Sequence, residues 1–301
     1  MVWDVAVIGR GPAGLSAGIY AARAGLSVIC FEGNVHGGQI INTPEVENYP
    51  ALGKVSGVEY AMNIYNQAVG FGVQVEYKAV TDVELDGREK KIFCGGEEYT
   101  AKTVIIATGV VRRKLEIPGE ERLTGAGVSY CATCDGSFFK GKVVTVIGGG
   151  NTALEDAVYL AGIAEKVYLV HRRDQFRGAR HEVEKVLKND KIEILYDTIP
   201  LIIEGEGKVE RLQVRNIKTE EEKTLYTSAV FVAAGLIPQN DMFKGKVAMT
   251  PDGYIDAGED CTTDVPGVFV AGDTRRKSLR QLVTATSDGA LAGTAAASYI
   301  G

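Results

Sequence analysis

Trp3-Asp4-Val5-Ala6-Val7-Ile8-Gly9-Arg10-Gly11-Pro12-Ala13-Gly14 opens the chain. The apolar run ending at Ile8 reads as a buried parallel strand. Gly9 permits a tight bend, Gly11 lets the backbone approach a pyrophosphate, and Gly14 lets helix and strand pack closely. Pro12 suits the first turn of a helix, where its missing N–H is not needed. Residues 15–24 read as that helix, and Gly25 ends it. Glu32 lies eighteen residues past Gly14, just after a second strand at 27–31. A carboxylate there accepts hydrogen bonds from ribose hydroxyls. Ala13, between Pro12 and Gly14, belongs to the same fingerprint.

The same grammar returns at 142–170. A strand at 142–147 runs into Gly148-Gly149-Gly150-Asn151-Thr152-Ala153, a helix at 152–164 and a strand at 166–170. Ala153 is the third small residue of this turn, which the fingerprint permits. After the second strand, His171-Arg172-Arg173 stands where Glu32 stands in the first unit. A carboxylate repels a 2′-phosphate, whereas guanidinium groups pair with it through bidentate, charge-assisted hydrogen bonds. Arg177 adds a second clamp. The first site therefore suits an adenosine with free ribose hydroxyls, and the second suits NADPH.

Each unit continues with a stretch that alternates apolar and charged residues, 73–103 and 191–228, as in an antiparallel meander. Each meander leads to an apolar strand ending in glycine, at Thr108-Gly109 and at Gly235. Gly9 to Gly109 spans 100 residues and Gly148 to Gly235 spans 87, so a whole nucleotide-binding unit is duplicated. A third such strand, 267–273, lacks a glycine turn of its own and completes the first unit. The expected fold is α/β: two Rossmann-like, three-layer ββα nucleotide-binding domains, the second inserted into the first. The expected boundaries are 1–114 and 242–301 for the host and 115–241 for the insert, with crossings near 112–117 and 237–244.

Between the two turns lies Cys131-Ala132-Thr133-Cys134-Asp135. Thiols two residues apart close a small disulfide ring, and a thiolate at a helical turn is favoured by backbone N–H groups. Zinc usually requires a second ligand pair, which Cys30, Cys94 and Cys261 do not offer. Those three read as buried, reduced residues. Asp135 is the local candidate for moving protons. Nucleotides and thiols in this order point to electrons passing between nucleotides and into a disulfide.

The 301 residues carry a net charge of −6, which argues against nucleic acid or an anionic membrane as the main partner. No apolar run approaches bilayer length. The apolar start lacks a basic leader and runs into the glycine turn, so it does not read as a signal peptide. The expected compartment is the reducing cytoplasm.

Over essentially its full length the chain resembles the low-molecular-weight, bacterial-type thioredoxin reductases, flavoprotein disulfide reductases. The resemblance is carried by Gly9 to Gly14, Gly37-Gly38-Gln39, Asn48-Tyr49-Pro50, Cys131 to Gly136, Gly148 to Ala153, His171-Arg172-Arg173 with Arg177, Gly272-Asp273 and Arg280-Gln281. It implies FAD in the first unit and NADPH in the second. Gln39 and Gln281 would lie near the isoalloxazine and Asp273 near the ribityl chain. Gly38, Asn48, Thr108, Gly109, Gly272, Arg280 and Leu282 would complete the cofactor site. Cys134 would face the flavin, Cys131 would attack the thioredoxin disulfide and Asp135 would be the acid. A homodimer is also implied. Arg275-Arg276-Lys277 reads as a solvated basic loop or as a contact for an acidic electron carrier.

Thiols and NADPH turn share the insert, yet both must reach the flavin and the dithiol must also reach a protein. One rigid arrangement does not satisfy all three, so a hinge is expected at the crossings. The competing readings are a ferredoxin-fed relative, which would lack the second turn and its arginines, a ferredoxin–NADP reductase, which would lack the thiol pair, a flavin dithiol oxidase, and a redox sensor that binds nucleotide without turnover.

Overall fold

The computed structural model describes residues 1–33, 35–43 and 45–301. The chain divides into two compact units, Met1–Val111 with Ile237–Gly301, and Arg112–Leu236.

The first unit begins with β1 (Val2–Ile8), α1 (Pro12–Arg23), β2 (Val28–Phe31), α2 (Gly57–Gly70) and β3 (Gln74–Glu76). It continues with β4 (Val80–Glu84), β5 (Lys90–Cys94), β6 (Glu97–Ile106) and the crossing strand β7 (Val110–Arg112). Strands β3, β2, β1 and β6 are parallel neighbours, and β4–β5–β6 form an antiparallel meander at one edge. Residues of β1 alternate between two cores: Val5 and Val7 pack on the side of Leu15, while Ala6 and Ile8 pack on the side of Ile92 and Phe243. Successive strand side chains point to opposite faces. A sheet covered on both faces therefore needs the continuous apolar run seen in the sequence.

The second unit holds β8 (Val128–Ser129), α3 (Ala132–Asp135), β9 (Val143–Ile147), α4 (Asn151–Ala161), β10 (Lys166–Val170), α5 (Arg180–Leu187) and β11 (Ile192–Leu195). There follow β12 (Thr198–Glu204), β13 (Arg211–Asn216), β14 (Glu222–Tyr226), β15 (Ala229–Val232) and the second crossing strand β16 (Leu236–Pro238). The parallel sheet runs β11-β10-β9-β15-β8, and β12-β13-β14 form a separate antiparallel sheet. The chain then completes the first unit with β17 (Val268–Val270), which pairs in parallel with β6, and α6 (Leu282–Ile300).

The crossing strands β7 and β16 pair with each other. The division falls at 111/112 and 236/237, where the sequence reading put it at 114/115 and 241/242. Asn240 explains the second difference. Its buried amide donates to the carbonyls of Gly253 (2.9 Å) and Thr274 (3.2 Å), and its Oδ1 accepts from the hydroxyls of Thr108 and Thr274. These bonds hold the returning segment to the first unit.

Helices α1 and α6 lie backbone to backbone. A Cβ added at Gly289 would stand 2.2 Å from the Ala13 carbonyl oxygen, and one at Gly293 would stand 2.5 Å from that of Ala17. Only glycine permits this approach, and Ala13 belongs to the first glycine turn. Gly289→Ala is expected to force the helices apart at a cost of about 1–3 kcal/mol, as overpacking does. Urea denaturation should show a lower midpoint at unchanged slope.

Candidate active site

Three segments of the first unit converge on the N-terminus of α1. Helix α1 is capped by Gly11 with no side-chain cap. The Arg10 N–H donates to Glu32 Oε2 at 3.3 Å, so the acid stands beside the turn. The Gly37 N–H donates to the Arg10 carbonyl at 2.9 Å, which brings in the loop carrying Gly38 and Gln39. A Cβ at Gly272 would lie 2.7 Å from the Ala13 Cβ, which puts the Gly272–Asp273 turn against α1. Gln281 caps α6, and the Asn48 amide donates to its Oε1 at 3.0 Å. Leu282 starts α6 beside it. Arg280 lies over Tyr254 and donates to the Asp273 carbonyl at 3.3 Å. Thr108 reaches Asn240, and the Gly109 carbonyl accepts from the Gln239 N–H.

A dinucleotide fits this cradle. Gly9 has φ of +106°, and a Cβ there would strike the Ala107 carbonyl oxygen at 2.3 Å; one at Gly14 would strike the Gly9 oxygen at 2.0 Å. A Cβ at Gly11 would meet nothing within 4 Å. The outer two glycines close the turn, and the middle one faces open space at a bare helix N-terminus, where phosphates are stabilised.

The basic run at 275–277 is not a solvated loop. The side chains of Arg275 and Lys277 are buried. Both pair with Asp288 of α6, the guanidinium through Nε (3.2 Å) and Nη2 (3.1 Å) and the ammonium at 2.8 Å. Asp288 also accepts from the Gly272 N–H at 3.0 Å. A buried carboxylate with two cations thus fixes the turn that carries Asp273. Only Arg276 is exposed, paired with Asp256. Nothing adjacent in sequence predicted this, because the acid comes from a later helix.

In the second unit the turn is built differently. A Cβ at Gly149 would fall 2.2 Å from His171 Cε1. The His171 ring is 5% exposed and lies under the turn, away from the surface where Arg172, Arg173 and Arg177 stand exposed. Its Nε2–H donates to the Gln175 carbonyl at 3.0 Å. Burial holds its pKa below the ordinary histidine value despite that bond, and the arginine charges add to the effect. His171 is therefore a neutral packing group. The Arg177 N–H donates to the Gly149 carbonyl at 2.8 Å, and Asn151 Oδ1 accepts from the Ala179 N–H at 2.7 Å. Residues 175–179 thereby fold back onto the turn. Above it, Gly150 faces open space at the α4 N-terminus, with Thr152 exposed and Ala153 buried. A second dinucleotide fits here, with three guanidinium-bearing residues at the rim.

Cys131 and Cys134 form a disulfide, S–S 2.07 Å. Cys131 caps α3, and its Sγ accepts the Cys134 N–H at 3.2 Å. Asp135 is half-buried and bonded to Ser129. Tyr130 donates its hydroxyl to Glu120 at 2.8 Å, and Glu120 also accepts the N–H groups of Leu115 and Glu116. Burial beside that carboxylate pushes the Tyr130 phenol up to about 12. The other cysteines, Cys30, Cys94 and Cys261, are free and buried, and burial raises all three thiols. Among the described residues no group of His, Cys, Asp and Glu could hold a metal ion, and no helix is long and apolar enough to cross a membrane.

Residues 3–289 match the family model described as pyridine nucleotide-disulphide oxidoreductase. This chain belongs to that family. A thioredoxin reductase from Peptoclostridium acidaminophilum is 46% identical over 306 residues, covering 99% of this chain and 97% of that protein. The crystal structure of thioredoxin reductase from Streptococcus pyogenes MGAS5005 is 41% identical, with a TM-score of 0.94 over 99% of this chain and 98% of that one. The Lactococcus lactis thioredoxin reductase structure described as the FR conformation is 39% identical, with a TM-score of 0.68 over 99% of each chain.

Sequence reading missed Asp156. Helix α4 packs behind the thiol segment: a Cβ at Gly136 would touch Leu160 and Tyr159 of α4. Asp156 lies one turn earlier, and desolvation raises its carboxyl to about 7, with Glu155 adding to the effect. An acid whose folded pKa is raised binds more protons folded than unfolded, so its presence weakens the fold increasingly as pH rises from 4 to 7. Asp156→Asn is therefore expected to raise the melting temperature more at pH 8 than at pH 5. Thermal melts of both proteins at the two pH values check this.

Proposed function

We propose that the protein is an NADPH-dependent thioredoxin-disulfide reductase, with FAD held by the first unit and NADPH by the second. The observation that carries this reading is the Cys131–Cys134 disulfide on the same unit as the Gly148–Ala153 turn and its arginine rim. When bound, the flavin and the nicotinamide supply the two-electron chemistry. The chain's own residues do the rest. The α1 and α4 N-termini hold pyrophosphates, Glu32 takes ribose hydroxyls, and Arg172, Arg173 and Arg177 take the 2′-phosphate. Cys134 would be the thiol that takes electrons from the flavin when it is bound, Cys131 attacks the thioredoxin disulfide, and Asp135 carries the proton.

Interdomain rotation belongs to this reading. The Streptococcus and Lactococcus structures are nearly equal in identity to this chain, yet their TM-scores are 0.94 and 0.68. That gap at full coverage supports a family whose units keep their folds and change their mutual orientation. A homodimer in the reducing cytoplasm completes the proposal. The open glycine turn and arginine rim of the second unit favour it over a ferredoxin-fed enzyme.

Two experiments test it. Anaerobic NADPH should bleach the bound flavin, and thioredoxin disulfide should restore its colour. Cys134→Ser should still bleach but lose thioredoxin turnover by at least about 10³-fold, the scale expected for removing a reacting group. Restoration by oxygen alone, with thioredoxin inert, would instead mark a dithiol oxidase. Replacing both Arg172 and Arg173 by Ala should raise the KM for NADPH by about tenfold or more while leaving NADH kinetics nearly unchanged, because only NADPH carries the 2′-phosphate.

A further inference from the structure

Ser129 ends β8 and is 5% exposed. Its Oγ lies 2.6 Å from Asp135 Oδ2, 3.1 Å from the Cys131 nitrogen and 3.3 Å from the Cys131 carbonyl oxygen. A hydroxyl has one proton to donate and two lone pairs to accept with. The Cys131 N–H occupies one lone pair in every state, since it can only donate. When Asp135 is ionised, the hydroxyl proton goes to Oδ2. When Asp135 is protonated, the carboxyl O–H donates into the second lone pair, and the hydroxyl proton turns to the Cys131 carbonyl. No partner is lost in either arrangement.

We propose that Ser129 is the positioning residue for proton transfer at the dithiol, holding Asp135 in one place through both of its protonation states. The inference rests on the assignment of Asp135 as the proton carrier. Thiol–disulfide exchange requires such a group to change state repeatedly. The reduced Cys131–Cys134 pair holds two thiol protons. The Cys131 proton passes to the Asp135 carboxylate, and the thiolate displaces one substrate sulfur to form a mixed disulfide. The departing substrate thiolate takes the proton back from Asp135. The Cys134 proton then passes to Asp135, the Cys134 thiolate attacks the Cys131 sulfur, and the second substrate thiolate takes that proton. One disulfide is broken, one is formed and two protons cross, so Asp135 is protonated and deprotonated twice per turnover. A carboxyl that lost its hydrogen bonds in one state would swing away from the sulfurs at each cycle.

Other titrating groups surround this site. Helix α4, packed against α3, carries Glu155, Asp156 and Tyr159, and the thiols of Cys131 and Cys134 titrate once reduced. The test must therefore separate them. The flavin-loaded enzyme is reduced, and its oxidation by thioredoxin disulfide is followed from pH 5 to 9, with kcat and KM measured in parallel. Thr and Val have the same shape and differ by the hydroxyl, so the comparison is Ser129→Thr against Ser129→Val. Ser129→Thr should retain the native profile. Ser129→Val should lower kcat by about tenfold, a part of the 10²–10⁴ that acid–base catalysis contributes, with KM changed by less than twofold. It should also alter the limb that Asp135→Asn abolishes. Asp156→Asn should leave that limb in place.

Identical profiles for the Thr and Val variants would overturn the inference while leaving Asp135 as proton carrier. A native limb in Asp135→Asn, or its loss in Asp156→Asn, would overturn the Asp135 assignment and the inference together. Should the extra methyl prevent folding of both variants, Ser129→Ala decides: an unmoved limb and unchanged kcat overturn the inference, and a moved limb with lowered kcat supports it.

Discussion

Backbone-to-backbone approach at the first glycine turn is the constraint on which the structure depends. Strand β1 must end, reverse and start a helix within a few residues, and that helix must lie against both its own strand and α6. The Gly9 oxygen stands where a Gly14 side chain would be, and the Ala13 and Ala17 oxygens stand where side chains of Gly289 and Gly293 would be. Each missing Cβ allows a contact that any other residue would block. The same closeness leaves the α1 N-terminus bare and facing open space at Gly11. Packing and ligand cradle thus arise from one set of absences.

Buried polar groups then hold the functional loops at defined places. Asp288 ties the Gly272 turn to α6 with the help of Arg275 and Lys277. Asn240 secures the returning chain to Thr108 and Thr274. In the second unit, Glu120 collects two backbone N–H groups and the Tyr130 phenol beside Cys131, and Ser129 joins Cys131 to Asp135. Breaking such a group by removing one partner is costly, because the other stays buried and unsatisfied. This is why loops, ordinarily the mobile part of a domain, can carry chemistry here.

Much of the fold was legible in the chain itself. The run from Val5 to Ile8 had to be buried on both faces, and the glycine spacing had to make a turn into a helix. The repetition of this pattern at 142–170 led to two nucleotide-binding units. The Cys131–Cys134 pair was equally plain, since two thiols at that spacing have few other uses. The misreadings came where a partner is distant in sequence. Arg275-Arg276-Lys277 looks like a solvated patch until α6 supplies Asp288. His171 looks like part of a basic cluster until the fold slides its ring beneath Gly149.

The sequence by itself determined strand and helix periodicity, the two turns and the reactive sulfurs, because each depends on residues a few positions apart. Tertiary structure alone decided which charges are buried, which histidine is neutral, that Asp156 is desolvated and that Ser129 meets Asp135. Those properties depend on dielectric environment and on distances across the fold, and a linear order of residues specifies neither until the chain has packed.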